Sequence, residues 1–275
     1  MRILYCTNLP ERGPCGVAEY GAECVKALRK AGHYVYDWEP TPAFHWPVPE
    51  FFEGFDVVHM NYHAATIGFV QPPPVRPRIL SAFLHEPASG FWFGEPDVIF
   101  SAEDLIPGHK LLFMPCPEGV LMPVTNMGEP FVCGTSTLRG AGVDWAALPL
   151  AATGIVFDYG QHKDHWYTMQ EEIMRLHACD FLIYWYGGAN AGQSAGIMTG
   201  VAAQRPIVLN SNRMFESLRG YDDELYRAET PEAGIAAVIA DLRAGCARIP
   251  RRLRADRSWA DAVKIMEKEW EACVK

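Results

Sequence analysis

Residues 186–208 read YGGANAGQSAGIMTGVAAQRPIV, and they continue the apolar run DFLIYWYGG that starts at Asp180. The apolar run is typical of a buried strand. Small residues then lead into a helical pattern, and a second apolar run begins at 206. Strand, glycine-rich turn, helix and strand in this order predict a parallel sheet flanked by helices.

The small side chains of this stretch have two interpretations. No charged residue stands between Asp180 and Arg205, and glycine, alanine, asparagine and serine dominate the first half of the stretch. Close packing of a helix on a sheet would explain them. A ligand held against the backbone at the helix N-terminus would explain them as well. Both interpretations stay open at this point.

The same alternation of strands and helices runs through the whole chain. A proline-rich connector at 114–130, MPCPEGVLMPVTNMGEP, separates two such halves. The pattern therefore predicts an α/β protein with two Rossmann-like parallel-sheet domains facing a cleft. We expect domains at 1–125 and 126–255, and a C-terminal helix at 256–275 that packs back on the first domain.

Composition narrows the class of protein. The chain has 275 residues and a net charge of −9, which argues against a protein that holds nucleic acid mainly through its phosphates. Its eight cysteines form no CxxC pair, and the start MRILYCTN does not resemble a signal peptide, so we expect free thiols and a cytoplasmic protein. The uncharged window 181–204 contains too many polar residues for a transmembrane segment.

Several sequence motifs of other protein classes are missing. Neither half contains the GxGxxG or GxxxxGK[ST] pattern of dinucleotide and P-loop sites. The GxSxG elbow of hydrolases is also absent.

Four stretches, taken in order, resemble the GT-B fold glycosyltransferases of the retaining family 4 group. They are a strand, glycine loop and helix at 3–35, the pair DVVHMNYH and ILSAFLHEP, the glycine stretch followed by AAQRPIVLNSNRMFESL, and the closing RRLRADRSWADAVKIMEKEWEA. The resemblance implies transfer of a sugar from a nucleotide-sugar donor to an acceptor hydroxyl, with retention, without metal and without a cofactor. A glycan, a lipid-linked sugar or a small molecule would be the acceptor.

The resemblance places the donor at the start of the helix near residue 193. A nucleotide diphosphate needs backbone N–H groups and close approach, which small residues permit. The candidate donor-binding residues there are Gly188, Asn190, Gly192, Gln193 and Ser194. Gly13 and Gly16 could form a second cradle, or simply a strand-to-helix turn.

Cations and carboxylates are where the sequence departs from the family pattern. Arg139 is the leading candidate to neutralise the leaving diphosphate, and Lys163 is the next. The family's two glutamates, spaced eight apart, correspond here to Ala191 and Thr199. Thr199 could still hydrogen-bond a hydroxyl of the donor.

The acceptor side contains histidines at predicted strand ends. The resemblance places His85 beside the donor sugar, with Glu86 in place of the usual Asp. Asn61, His63 and Trp92 are candidate acceptor contacts. His59 and His63 are too far apart in a strand, about 13 Å, to form a metal pair, so no metal site is expected.

Two alternatives remain. The acceptor could be a hydroxymethylated DNA base, an option favoured by the arginines of RIPRRLRADR at 248–257. The chain could also be a non-catalytic nucleotide- or sugar-binding relative, because the glutamate pair is missing.

Overall fold

The computed structural model describes residues 1–8, 16–40, 49–63, 73, 75–85, 95–102, 108–122, 130–135, 156–158, 167–187 and 195–274. The chain divides into two compact units. The first unit contains Met1–Phe113 and Trp259–Lys275, and the second contains Met114–Ser258.

Each unit contains one sheet of parallel strands. The first sheet has the order β2-β1-β3-β4-β5-β6, with strands β1 (Arg2–Cys6), β2 (Tyr34–Trp38), β3 (Val57–Tyr62), β4 (Leu80–Leu84), β5 (Val98–Ser101) and β6 (Lys110–Leu111). The second sheet has the order β11-β10-β9-β7-β8, with strands β7 (Val132–Gly134), β8 (Val156–Asp158), β9 (Phe181–Tyr184), β10 (Ile207–Leu209) and β11 (Tyr226–Arg227).

The helices follow the strands in sequence. In chain order they are α1 (Gly16–Lys30), α2 (Pro49–Phe52), α3 (Met169–His177), α4 (Ala195–Ala202), a 3-10 helix (Arg213–Tyr221), α5 (Pro231–Ala244), α6 (Arg251–Asp256) and α7 (Trp259–Cys273). In the described parts of the chain, no helix is long and apolar enough to cross a membrane.

The first unit buries both faces of its sheet. Every residue of β3 and β4 is buried, which explains why both strands are mostly apolar along their whole length. One face packs with Phe52 and Phe55 into a hydrophobic cluster. The other face contacts the helices: Phe83 stacks on Tyr20 of α1, and Trp270 of α7 donates a hydrogen bond to Ser81 Oγ.

The second unit packs helices closely against its sheet. A Cβ added at Gly234 of α5 would lie 2.4 Å from Val208 Cγ1 of β10, so this helix needs glycine to approach the strand. Thr230 caps the helix and Gly245 ends it in the left-handed conformation.

The predicted elements are largely present, with local differences. The terminal helix predicted from residue 256 begins at Trp259, and a separate helix, α6, ends at Asp256. Arg257 lies between the two helices, where its carbonyl accepts a hydrogen bond from Cys116 N at 2.6 Å and its guanidinium donates to Ser217 O.

Candidate functional site

The residues that directly follow β9 lie at the carboxyl end of the second sheet. Strand β9 ends at Tyr184, the described chain continues to Gly187, and α4 begins at Ala195. The predicted donor-binding residues Gly188, Asn190, Gly192, Gln193 and Ser194 lie outside the described residues.

Close packing accounts for one small residue of this stretch. A Cβ at Gly200 would lie 2.5 Å from the hydroxyl oxygen of Tyr184 and 2.8 Å from its Cε2. Tyr184 is wholly buried. Helix α4 can therefore lie against β9 only with glycine at this position.

Thr199 has its hydroxyl engaged within the second unit. The side chain is buried, and Oγ1 donates to Ala195 O at 3.3 Å and lies 3.7 Å from the sulphur of Met169. The predicted hydrogen bond to a donor hydroxyl would have to compete with these contacts.

The backbone just before the predicted donor loop is held by two asparagines that the sequence reasoning missed. Asn210 donates from Nδ2 to Tyr186 O at 2.7 Å, and Asn212 donates to the same oxygen at 3.2 Å. The Tyr186 ring stacks on Phe215 at 5.0 Å. Two asparagines directly after a predicted strand, in VLNSN, were the available signal.

An arginine of α3 contacts the backbone at the end of β7, the strand that precedes the predicted cation Arg139. Arg175 of α3 donates to Thr135 O at 2.6 Å, and its guanidinium pairs with Glu172 at 2.7 Å. Arg175 thus fixes the backbone where β7 ends. The predicted cations Arg139 and Lys163 lie outside the described residues.

The first sheet brings two predicted residues together. His85 follows β4 and Asn61 lies in β3, and His85 Nε2 is 2.7 Å from Asn61 Oδ1. Asn61 is wholly buried and also donates to Thr7 Oγ1 at 2.9 Å and to Val17 O at 2.8 Å. One amide therefore connects the ends of β1 and β4 with the first turn of α1.

His85 is a half-buried, neutral imidazole. Burial, together with the neighbouring imidazoles of His63 and His59, lowers its pKa to about 3. Its ring contacts Tyr20 and Phe83 edge-on, at centroid distances of 5.0 and 4.8 Å. At neutral pH this group can donate or accept a hydrogen bond without bringing a charge to the site.

Two glycines of α1 differ in what surrounds them. A Cβ at Gly21 would lie 2.5 Å from Thr7 Oγ1 and 2.8 Å from Asn61 Nδ2, so the helix is pressed against these side chains. At Gly16, nothing described lies within 4 Å of the added Cβ. The space beside Gly16 is thus not filled by the described part of the protein. Gly13 lies outside the described residues.

The other predicted acceptor-side residues are only partly described. His63 directly follows β3 and is half-buried, whereas Glu86 and Trp92 lie outside the described residues. His59 is wholly buried beside Ser81. Among the described side chains, no group of three histidines, cysteines, aspartates or glutamates could hold a metal ion.

Three arginines of the basic run at 248–257 form hydrogen bonds within the second unit. Arg248, Arg252 and Arg257 all donate to carbonyl or carboxylate oxygens of residues 217–225. Arg248 and Arg252 also lie over tyrosine rings. These contacts support a structural role for the basic run rather than a surface for DNA phosphates.

No known protein-family profile and no curated protein sequence matches the chain. Solved structures do match. Anabaena HepE in complex with UDP-glucose has 12% identity and a TM-score of 0.56, with 99% of each chain covered. Sucrose-phosphate synthase from Thermosynechococcus elongatus has 12% identity and a TM-score of 0.60, covering 99% of this chain and 98% of that one. An α-glucosyltransferase in complex with UDP-glucose and DNA containing an abasic site has 12% identity and a TM-score of 0.53, covering 100% and 99%.

These matches extend over nearly the full length of each partner and confirm the predicted fold class. The chain has the GT-B fold of glycosyltransferases, with one parallel sheet in each unit. At 12% identity the matches establish the fold alone.

Proposed function

We propose that the protein is a glycosyltransferase that moves a sugar from a nucleotide-sugar donor to an acceptor hydroxyl. The observation that carries the proposal is the full-length match of the fold to HepE and to an α-glucosyltransferase, both solved with UDP-glucose. Polar side chains at the carboxyl ends of both sheets support it, since ligands of open α/β sheets bind at these ends.

The proposed donor site is the segment before α4. This helix is almost entirely apolar and mostly buried. A diphosphate at 188–194 would lie at the N-terminus of this helix and would be stabilised by the helix dipole. Asn210 and Asn212 would fix the strand end from which this segment leaves.

On the acceptor side we assign His85 the role of a neutral hydrogen-bonding group beside the donor sugar. A carboxylate there would repel the departing diphosphate, whereas a neutral imidazole would not. Asn61 and His63 lie in the same region of the first unit, but the amide of Asn61 is occupied by Thr7, Val17 and His85.

A panel of nucleotide sugars tests the proposal. We expect binding of at least one donor by calorimetry and slow release of nucleoside diphosphate without acceptor. Binding without any turnover over hours, with acceptors present, would identify a non-catalytic binding protein instead. Absence of binding to every nucleotide and nucleotide sugar at millimolar concentration would refute the proposal.

A charge-reversing variant tests the donor position. Ser194→Glu would place a carboxylate near the diphosphate and weaken donor binding by about tenfold or more, equivalent to ~1–2 kcal/mol. Ser217→Glu is the control, because it adds the same charge at an exposed position of the 3-10 helix. Equal donor affinity in both variants would place the phosphates elsewhere.

A DNA base is the second acceptor candidate, because the α-glucosyltransferase that matches the full chain was solved with DNA. Mass spectrometry of 5-hydroxymethyl-containing DNA, incubated with the protein and donor, separates the two acceptor classes. The internal contacts of Arg248, Arg252 and Arg257 favour a small acceptor, so we expect no mass increase of the DNA.

A further inference from the structure

The amide of Asn61 can have only one orientation. Val17 O is a backbone carbonyl and can only accept a hydrogen bond, so the nitrogen of the amide must face it, at 2.8 Å. Thr7 Oγ1 donates its own proton to Asn8 O at 3.2 Å and therefore accepts the second amide hydrogen, at 2.9 Å. Both donors of Asn61 are thus used, and its oxygen is left to face His85.

This orientation decides the tautomer of His85. Asn61 Oδ1 lies 2.7 Å from His85 Nε2 and can only accept, so Nε2 must carry the hydrogen. In a neutral imidazole the other nitrogen, Nδ1, then carries the lone pair. The tautomer follows from a chain of contacts that starts at the backbone of α1.

We propose that Asn61 is a positioning residue that holds His85 with hydrogen on Nε2 and the lone pair on Nδ1. His85 then acts as a hydrogen-bond acceptor towards a hydroxyl of the bound substrate, which rests on the proposed glycosyltransferase function. Asn61, a candidate contact of the sugar acceptor, therefore acts through His85, because its amide has no N–H left to donate to a ligand.

The same amide also connects His85 to the residue that follows β1 and to the first turn of α1. Thr7 directly follows β1 and Val17 lies in the first turn of α1, and Asn61 bonds to both. Gly21 is required for this arrangement, since a Cβ there would lie 2.8 Å from Asn61 Nδ2. The imidazole, Thr7 and the first turn of α1 are therefore held by one buried side chain.

Among the described side chains, three groups besides Asn61 can influence the protonation of His85. They are the imidazoles of His63 and His59, which disfavour a positive charge on His85, and the hydroxyl of Tyr20, whose ring contacts the imidazole at 5.0 Å. None of them is the acceptor that fixes Nε2.

Long-range ¹H–¹⁵N correlation spectra of the full chain report the tautomer directly, without any substrate. Signals of His85 are assigned by their loss in His85→Gln. We expect a neutral ring with the proton on Nε2 at pH 7, and no titration of this ring at mildly acidic pH. A proton on Nδ1, or an ordinary titration near pH 6.5, would overturn the proposal.

Two substitutions of Asn61 test the positioning role. Asn61→Ala removes the acceptor of Nε2 and allows both tautomers to be populated. Asn61→Asp places a carboxylate at this position and raises the pKa of His85 by about one to three units. Met60→Ala is the control. Met60 is the neighbouring residue of β3 and lies on the opposite face of the sheet, in the hydrophobic cluster with Phe52 and Phe55. Its substitution affects packing but leaves the tautomer of His85 unchanged.

Activity measurements complete the test on the same variants. We expect Asn61→Ala to lower kcat/KM by about 10- to 100-fold, as for other outer partners that orient a functional imidazole. A kcat/KM in Asn61→Ala equal to that of Met60→Ala would refute the positioning role even if the tautomer is right. The expected tautomer in a protein that turns over no nucleotide sugar would refute the proposed function and leave the geometry of His85 intact.

Discussion

At the scale of single residues, His59 is a buried group whose protonation the fold opposes. It is wholly buried, its Nδ1 lies 2.9 Å from Ser81 Oγ, and burial lowers its pKa to about 3. In the unfolded chain a histidine has a pKa of about 6.5. Between these two values the unfolded state binds more protons than the folded state, so stability falls as the pH is lowered.

We therefore predict that His59→Asn flattens the pH dependence of stability. The full contribution of His59 is present above about pH 6.5 and is lost as the pH falls towards 3. The slope of the free energy of unfolding should decrease by about 1 kcal/mol per pH unit in the variant. Urea unfolding at a series of mildly acidic pH values measures the slope.

Ser81→Ala serves as the control for this experiment. It removes the hydrogen-bond partner of His59 but keeps the buried imidazole, so stability should fall while the slope stays close to that of the wild-type chain. If the free energy of unfolding changes with pH at the same slope in the wild-type chain and in His59→Asn, then His59 does not resist protonation.

At the scale of elements, the close contact between α4 and β9 restricts which side chain fits at position 200 of the helix. We predict that Gly200→Ala destabilises the protein by about 1–3 kcal/mol through overpacking against Tyr184. Alanine would otherwise favour a helix by about 1 kcal/mol over glycine. Urea unfolding of the two chains gives the difference.

Gly220→Ala is the matched comparison. A Cβ at Gly220 has no described atom within 4 Å, so this substitution should change the free energy of unfolding by less than about 0.5 kcal/mol. If Gly200→Ala is as well tolerated as Gly220→Ala, close packing cannot explain the glycine at 200.

Elements were easier to predict from the sequence than contacts between them. The buried strands β3 and β4 are mostly apolar runs, and the stop at Gly245 marks the end of α5, so their patterns predict them. The bond between Asn61 and His85 depends on the parallel register that places Asn61 opposite Phe83 in the neighbouring strand. Periodicity carries no information on register across a connection of this length, so Asn61 could be placed at a strand end but not paired.

At the scale of the whole molecule, the two units have separate cores and the first is completed by the last helix. Trp270 of α7 is wholly buried, donates to Ser81 Oγ at 2.9 Å, and contacts His59 at 5.7 Å. Another contact pairs Glu267 of the same helix with His33, at 2.7 Å. A substitution that weakens the packing of α7 should therefore destabilise the strands of the first sheet first.

We predict that Trp270→Ala destabilises the first unit by about 3–5 kcal/mol. Hydrogen exchange measured by mass spectrometry should accelerate in β3, β4 and β5 while β9 and β10 keep their protection, because no residue of the second core is removed. Lys268→Ala, an exposed change on the same helix, should leave both sheets protected. If hydrogen exchange accelerates equally in the two sheets, they unfold as one cooperative unit. The two cores would then not be stable independently of each other.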